Sequence, residues 1–99
     1  NARRMFERCL EEEELKAEGY NGLAYCAAET QDYDSALDYI EKGLEENDDR
    51  TRQALLFNEI VFYEKKADFA SAKQKMSEYL ELYPADENAV RENYFLQTR

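Results

Sequence analysis

The segment Asp32-Tyr33-Asp34-Ser35-Ala36 returns 36 residues later as Asp68-Phe69-Ala70-Ser71-Ala72. In each copy the first Asp can cap a helix, because its carboxylate can accept hydrogen bonds from backbone N–H groups of the first turn. An aromatic residue and a small alanine follow at matching positions. A repeat of this length, with each copy opening a helix, is typical of proteins built from stacked helix pairs. The recurrence therefore predicts an all-α chain.

Apolar residues continue both copies at spacings of three and four, which place them on one side of a helix. The two sets are Ala36, Leu37, Ile40, Gly43 and Leu44, and Ala72, Met76, Tyr79 and Leu80. The start of the chain carries the same pattern in Ala2, Phe6, Cys9 and Leu10. We therefore interpret residues 1–14 as the second helix of a repeat whose first helix is missing, and the chain as the C-terminal fragment of a longer array.

Three more helices complete the predicted architecture. Residues 15–30 and 50–66 carry apolar faces, and a terminal helix comes after Pro84. Pro84 disfavours helix at the preceding residue, and Asp86 can cap the terminal helix. The sequence thus predicts about six helices in one domain, with a repeat over 15–48, a second over 50–84 and a capping helix over 86–99. In that last helix we expect Val90, Tyr94 and Leu96 to cover the preceding pair.

The charge excludes one class of partner. The chain has 23 acidic and 13 basic residues and a net charge of −10, whereas a nucleic-acid binder needs a basic surface. Residues 1–50 hold 15 of the acids and 6 of the bases, which either keep the protein soluble or steer a basic partner toward this half. No apolar run reaches 18 residues, so we expect no direct membrane contact from this segment. Localisation stays open between the cytoplasm and a tether in the cell envelope.

Catalytic and metal-binding chemistry finds little support in the composition. The chain has no His, so it lacks an imidazole base and a common zinc ligand. Cys9 and Cys26 match no metal-binding spacing, and their apolar neighbours predict small, buried, unreactive thiols, although a disulfide between them stays open. The acidic run at residues 11–14 splays around a helix and cannot converge on one ion. We therefore expect no enzyme active site, no cofactor and no metal.

The residues at the expected helix contacts resemble tetratricopeptide repeats. In that family a large residue, a Leu and a small residue mark the first helix, and small and bulky residues alternate in the second. The corresponding positions are Tyr20, Leu23, Ala24, Ala27, Ala36, Ile40 and Gly43 in the first unit, and Leu56, Ile60, Tyr63, Ala72, Met76, Tyr79 and Pro84 in the second. The resemblance covers essentially the whole chain and implies an antiparallel helix-pair solenoid with a right-handed superhelix. Glu59, Ile60 and Tyr79 depart from the family pattern, so we expect the second unit to pack more loosely or at a shifted angle.

The resemblance also implies a binding surface. First helices of such repeats line a concave groove that usually receives an extended peptide. When the groove-lining positions of the family are transferred to this sequence, they fall on Asn21, Tyr25, Phe57, Val61, Arg91 and Phe95. Phe57, Val61 and Phe95 could equally be core residues, and Tyr25 is the better exposed candidate. One subtype of the family clamps a C-terminal carboxylate of its partner with Lys and Asn side chains. We do not expect this clamp here, because only Asn58 matches its positions and the residues at the remaining clamp positions are not basic.

Three functions stay open at this point. The first is a scaffold that binds a peptide or protein partner in the groove, and the acidic surface would suit a basic partner. The second is a structural or oligomerisation module that self-associates. The third is a regulatory arm of a larger enzyme or of an envelope lipoprotein. Light scattering against concentration separates the second function from the first, and the rest of the parent chain identifies the third.

Overall fold

Six α-helices make up the part of the chain that the structure describes. The computed structural model describes residues 2–99. The helices are α1 (Ala2–Cys9), α2 (Lys16–Glu29), α3 (Tyr33–Glu45), α4 (Asp49–Lys65), α5 (Phe69–Leu82) and α6 (Glu87–Gln97). A short 3-10 helix, Glu13–Leu15, lies between α1 and α2, and residues 2–99 contain no strand. The predicted all-α class and the predicted number of helices are confirmed.

Aspartates begin four of the helices. Asp32, Asp48, Asp68 and Asp86 each precede a helix and accept a hydrogen bond from a backbone N–H two or three residues on, at 3.0–3.2 Å. These N–H groups have no acceptor within their own helix, so each cap stabilises the fold by about 1 kcal/mol. The two aspartates of the repeated segment therefore cap helices as their sequence position predicts.

A residue with a left-handed backbone conformation follows each of three helices. Gln31, Asn47 and Ala67 have φ angles of 64°, 55° and 64°. At the end of α4 the N–H groups of Ala67 and Asp68 donate to main-chain oxygens of the last turn, at 2.9 Å each. This pattern satisfies carbonyl groups that the helix leaves free, and it normally uses glycine at the left-handed position. Because Asp68 also caps α5, the chain passes from one helix to the next within residues 66–68.

Each helix packs mainly against its neighbours in sequence, and α2 also contacts α4. One core lies among α2, α3 and α4, where Ala24, Ala36 and Ile40 are fully buried. A second core lies among α4, α5 and α6 and contains Ile60, Ala72, Met76, Tyr79, Ala89 and Leu96. Helix α4 contributes to both cores, with Leu55 and Phe62 in the first and Ile60 in the second. Ala36 of the first core and Ala72 of the second, the alanines that end the two copies of the repeated segment, are both 0% exposed.

Three local expectations need correction. Helix α1 ends at Cys9, earlier than residue 14. Cys9 and Cys26 are free thiols of intermediate exposure, so neither is the fully buried thiol that its apolar neighbours predict. In α6, Val90 and Tyr94 are 39% and 75% exposed and do not cover the preceding pair. Each residue advances 100° around a helix, so the buried stripe through Ala89 and Leu96 leaves Val90 and Tyr94 on an outer flank.

Candidate functional site

A buried amide holds together the residues predicted on α2. Asn58 of α4 is 8% exposed. Its Nδ2 donates to Oδ1 of Asn21 at 2.9 Å, and its Oδ1 accepts a hydrogen bond from the Tyr25 hydroxyl at 3.0 Å. We call these three residues the tyrosine patch. Both ends of the Asn58 amide are satisfied, which removes the main cost of burying a polar side chain in this position.

The ring of Tyr25 is half exposed but held in place. It is 50% exposed, as its sequence position suggested. Its edge meets the ring of Phe62 on α4, with centroids 6.1 Å apart and planes at 88°, a favourable aromatic geometry. The hydrogen bond to Asn58 holds the other end of the side chain. A large apolar surface is therefore presented to solvent in one orientation, at little further entropic cost to a partner.

Of the four predicted residues outside this patch, Phe57 and Arg91 lie apart from the other two. Phe57 is half-buried, and its ring packs edge-on against Tyr79 at a centroid distance of 5.6 Å. It therefore belongs to the second core, the alternative that the sequence left open. Arg91 is exposed on α6, where it donates to Oδ1 of Asn88 at 2.6 Å. It lines a separate depression with Pro84, Ala85, Glu87 and Val90.

Val61 and Phe95 come together in a second, mainly apolar pocket. Its volume is about 250 Å³, and its lining consists of Val61, Glu64, Lys65, Phe69, Phe95 and Arg99. We call it the α4–α6 pocket. Phe95 is 45% exposed, and the guanidinium carbon of Arg99 lies 3.7 Å from the centre of its ring. Such a contact between a cation and an aromatic face is attractive.

A carboxyl group with an unusual proton affinity lines the α4–α6 pocket. Burial, then the nearby negative charge of Glu92 and a hydrogen bond with its side chain, raise the pKa of Glu64 to about 7, against the weaker lowering effects of Arg99 and Lys65. Oε2 of Glu64 is buried and accepts no hydrogen bond from any residue between 2 and 99. A buried acceptor without a donor is costly to the fold. A ligand that donates an N–H hydrogen bond to this oxygen would therefore bind more favourably.

A further cleft is polar and lies on other surfaces of α3, α4 and α5. Its volume is about 340 Å³, and it is lined by Asp34, Leu37, Asp38, Glu41, Glu59, Tyr63, Lys66 and Lys75. Lys66 donates to Asp34, and Lys75 lies 3.9 Å from Glu59. Burial raises the pKa of the Glu59 carboxyl, and the charge of Lys75 opposes that shift. The acids of this cleft are thus partly neutralised from within the chain, and no group of three or more His, Cys, Asp or Glu residues between 2 and 99 is arranged to hold a metal ion.

The comparisons with known proteins add no family assignment. No protein-family model matches the chain, and no curated protein is significantly similar to it. No helix within residues 2–99 is both long enough and apolar enough to cross a membrane. The tetratricopeptide resemblance and the partner therefore stay inferences from the residues and their geometry.

Sequence reasoning missed the importance of Asn58 and Glu64. Asn58 stands between Leu55 and Ile60 in an apolar helix, and an amide in that setting needs partners, so its position was an available signal. Glu64 offered no such signal. Its effect depends on Glu92, 28 residues away in the sequence, and only the packing of α6 near α4 brings the two carboxyl groups together.

Proposed function

We propose that this chain is a tetratricopeptide-like helical repeat module that binds a peptide or protein segment along the exposed faces of α2, α4 and α6. It acts by binding and not by catalysis. The observation that carries the proposal is the half-exposed Tyr25, whose ring is held by Phe62 and whose hydroxyl is held by a buried Asn58. Rigid tyrosines with a polar tip are frequent anchors of protein interfaces.

The arrangement of α4 supports a binding face longer than one residue. Asn58, Val61 and Lys65 lie along one side of this helix at spacings of three and four. The tyrosine patch adjoins Asn58 on the α2 side, and Phe95 of α6 lies across from Val61 in the α4–α6 pocket. An extended segment crossing the three helices would meet an aromatic anchor at one end and an apolar pocket at the other. The net charge of −10 favours a basic segment.

A peptide selection tests the proposal directly. Random peptides displayed on phage are selected against the protein, and the dissociation constants of the resulting peptides are measured by fluorescence polarisation. We expect Tyr25→Ala to weaken binding at least tenfold, about 1.4 kcal/mol, because a truncated interface aromatic commonly costs that much or more. Tyr94→Ala is the matched control, since Tyr94 is 75% exposed on the outer flank of α6, and it should leave the affinity unchanged. Selected peptides that bind both variants as well as the wild type would refute the proposed face.

Self-association is the second candidate function, and the outer flank of α6 favours it. Val90 and Tyr94 are exposed there at 39% and 75%, one helical turn apart, and together they form an apolar stripe. Light scattering from micromolar to millimolar concentration tests this function. A dimer that disappears in Tyr94→Ala, together with peptides that ignore Tyr25, would favour self-association over peptide binding.

A further inference from the structure

We propose that the α4–α6 pocket is a receptor for one arginine or lysine side chain of the partner, and that the chain's own Arg99 holds this place when no partner is bound. The inference rests on the proposed function, because it names the chemistry that the bound segment presents at the α6 end of the face. It concerns a different part of that face from the tyrosine patch, so the two can fail separately.

The walls of the pocket suit the stem of a long cationic side chain. Val61, Phe69 and Phe95 supply apolar surface from three different helices. Arginine and lysine cover such surface with their methylene groups and keep the charged end free for polar partners. The face of Phe95 also attracts a cation, and Arg99 already demonstrates this contact at 3.7 Å.

The acceptors needed by the charged end are present at the same place. Glu64 has a buried Oε2 without a donor within the described chain, and the neighbouring carboxyl group of Glu92 raises the pKa of Glu64. Two carboxyl groups this close repel each other when both are ionised, and a cation between them relieves the repulsion. A guanidinium or ammonium group supplies both the missing N–H donors and the compensating charge.

Arg99 lies in the α4–α6 pocket where a cationic side chain of the partner could displace it. It is exposed, and its guanidinium group lies over the ring of Phe95. Its charge lowers the pKa of Glu64, although Arg99 donates no hydrogen bond to Oε2. Lys73 of α5 donates to its main-chain oxygen at 2.8 Å, a contact that holds the backbone near the pocket and does not involve the Arg99 side chain. A partner cation reaching Glu64 makes the hydrogen bonds that Arg99 does not make.

Binding should release a proton, which gives the inference a signature of its own. The charged groups that act on Glu64 are Glu92 of α6, Lys65 of α4 and Arg99, and Lys73 of α5 lies next to the last of these. Because the pKa of Glu64 is about 7, its ionised fraction rises from about one tenth at pH 6 to about nine tenths at pH 8. A cation that needs the ionised form should therefore bind about tenfold more tightly at pH 8 than at pH 6.

The experiment uses two small probes and the whole chain. Nα-acetyl-argininamide and its uncharged analogue Nα-acetyl-citrullinamide are titrated into ¹⁵N-labelled protein, and amide chemical shifts are followed at pH 6 and pH 8. We expect only the arginine probe to shift Val61, Phe69 and Phe95, with the tenfold pH dependence. Glu64→Gln should lose most of the affinity and all of its pH dependence. Arg99→Ala should bind several-fold more tightly, because the competing cation is gone.

One variant serves as the control, and two results would contradict the inference. Glu45→Gln removes the same charge from an exposed position on α3 and should bind like the wild type. Equal shifts from both probes, or an unchanged affinity in Glu64→Gln, would overturn the cation receptor. If the arginine probe fails while selected peptides still depend on Tyr25, the proposed function stands and only this inference falls. If the arginine probe binds as expected while the selected peptides bind Tyr25→Ala as tightly as the wild type, this inference stands and the proposed peptide-binding face falls.

Discussion

The hydrogen bond between Tyr25 and Asn58 can be isolated by Tyr25→Phe, which removes one hydroxyl group and keeps the ring. The acceptor Oδ1 of Asn58 lies 3.0 Å from that hydroxyl and belongs to a side chain only 8% exposed. Losing the donor of a buried acceptor costs about 1–3 kcal/mol, while an ordinary hydrogen bond contributes about 0.5–1.5 kcal/mol. Because Tyr25 is 50% exposed, water can partly replace the hydroxyl. We therefore expect a loss of about 1 kcal/mol in the free energy of unfolding.

A double-mutant cycle with Asn58→Ala measures this contribution. Asn58→Ala should cost more than Tyr25→Phe, because it also removes the 2.9 Å hydrogen bond to Asn21 and leaves a cavity in place of a buried side chain. In the Asn58→Ala background the tyrosine hydroxyl has lost its protein partner, so Tyr25→Phe should be nearly neutral there. The expected coupling free energy is about 1 kcal/mol.

Urea denaturation followed by circular dichroism supplies the four free energies of unfolding. In thermal melts the loss in Tyr25→Phe corresponds to about 4–8 °C for a domain of this size. An unchanged m-value would show that the folded and unfolded states keep their compactness. If Tyr25→Phe has the same effect with Asn58 and without it, the two side chains do not form the bond in solution, and the rigid presentation of Tyr25 loses its basis.

The remaining predictions concern titration and backbone strain. The folded-state pKa of Glu64, about 7, is above its ordinary 4.5, so the folded state binds the proton more tightly and stability should fall as pH rises through 7. Melting temperatures from pH 5.5 to 8 should show this fall in the wild type and a smaller one in Glu64→Gln, and parallel curves would contradict it. Ala67→Gly should stabilise the fold by about 0.5–1 kcal/mol, because Ala67 has a φ of 64° that glycine adopts without strain. Ala54→Gly, at an exposed position inside α4, should instead destabilise it by about 1 kcal/mol, and a loss of stability in both variants would contradict the left-handed assignment.

Much of the candidate site lay beyond sequence reasoning for an identifiable reason. Helical spacing correctly separated Tyr25 from the buried stripe of α2, because the exposure of a residue follows from its angle around the helix. The same reasoning placed Phe57 with Val61 on a binding face, whereas Phe57 packs against Tyr79. On α4, which is covered from both sides, angle alone does not decide burial, since that depends on where the neighbouring helices cross.

The features that the sequence determined by itself are local in character. The helices begin at Asp32, Asp68 and Asp86 because a carboxylate can accept hydrogen bonds from N–H groups within three residues, and that requirement is readable from the chain alone. The period of 36 residues came from the same signals. The tertiary structure alone decided which distant groups meet. Asn58 joins Asn21 and Tyr25, and Glu64 meets Glu92, because helix packing brings together residues that are far apart in the chain. Burial and charge at these contacts determine the hydrogen bonds of Asn58 and the pKa of Glu64. Neither can be read from the residues that lie nearby in the sequence.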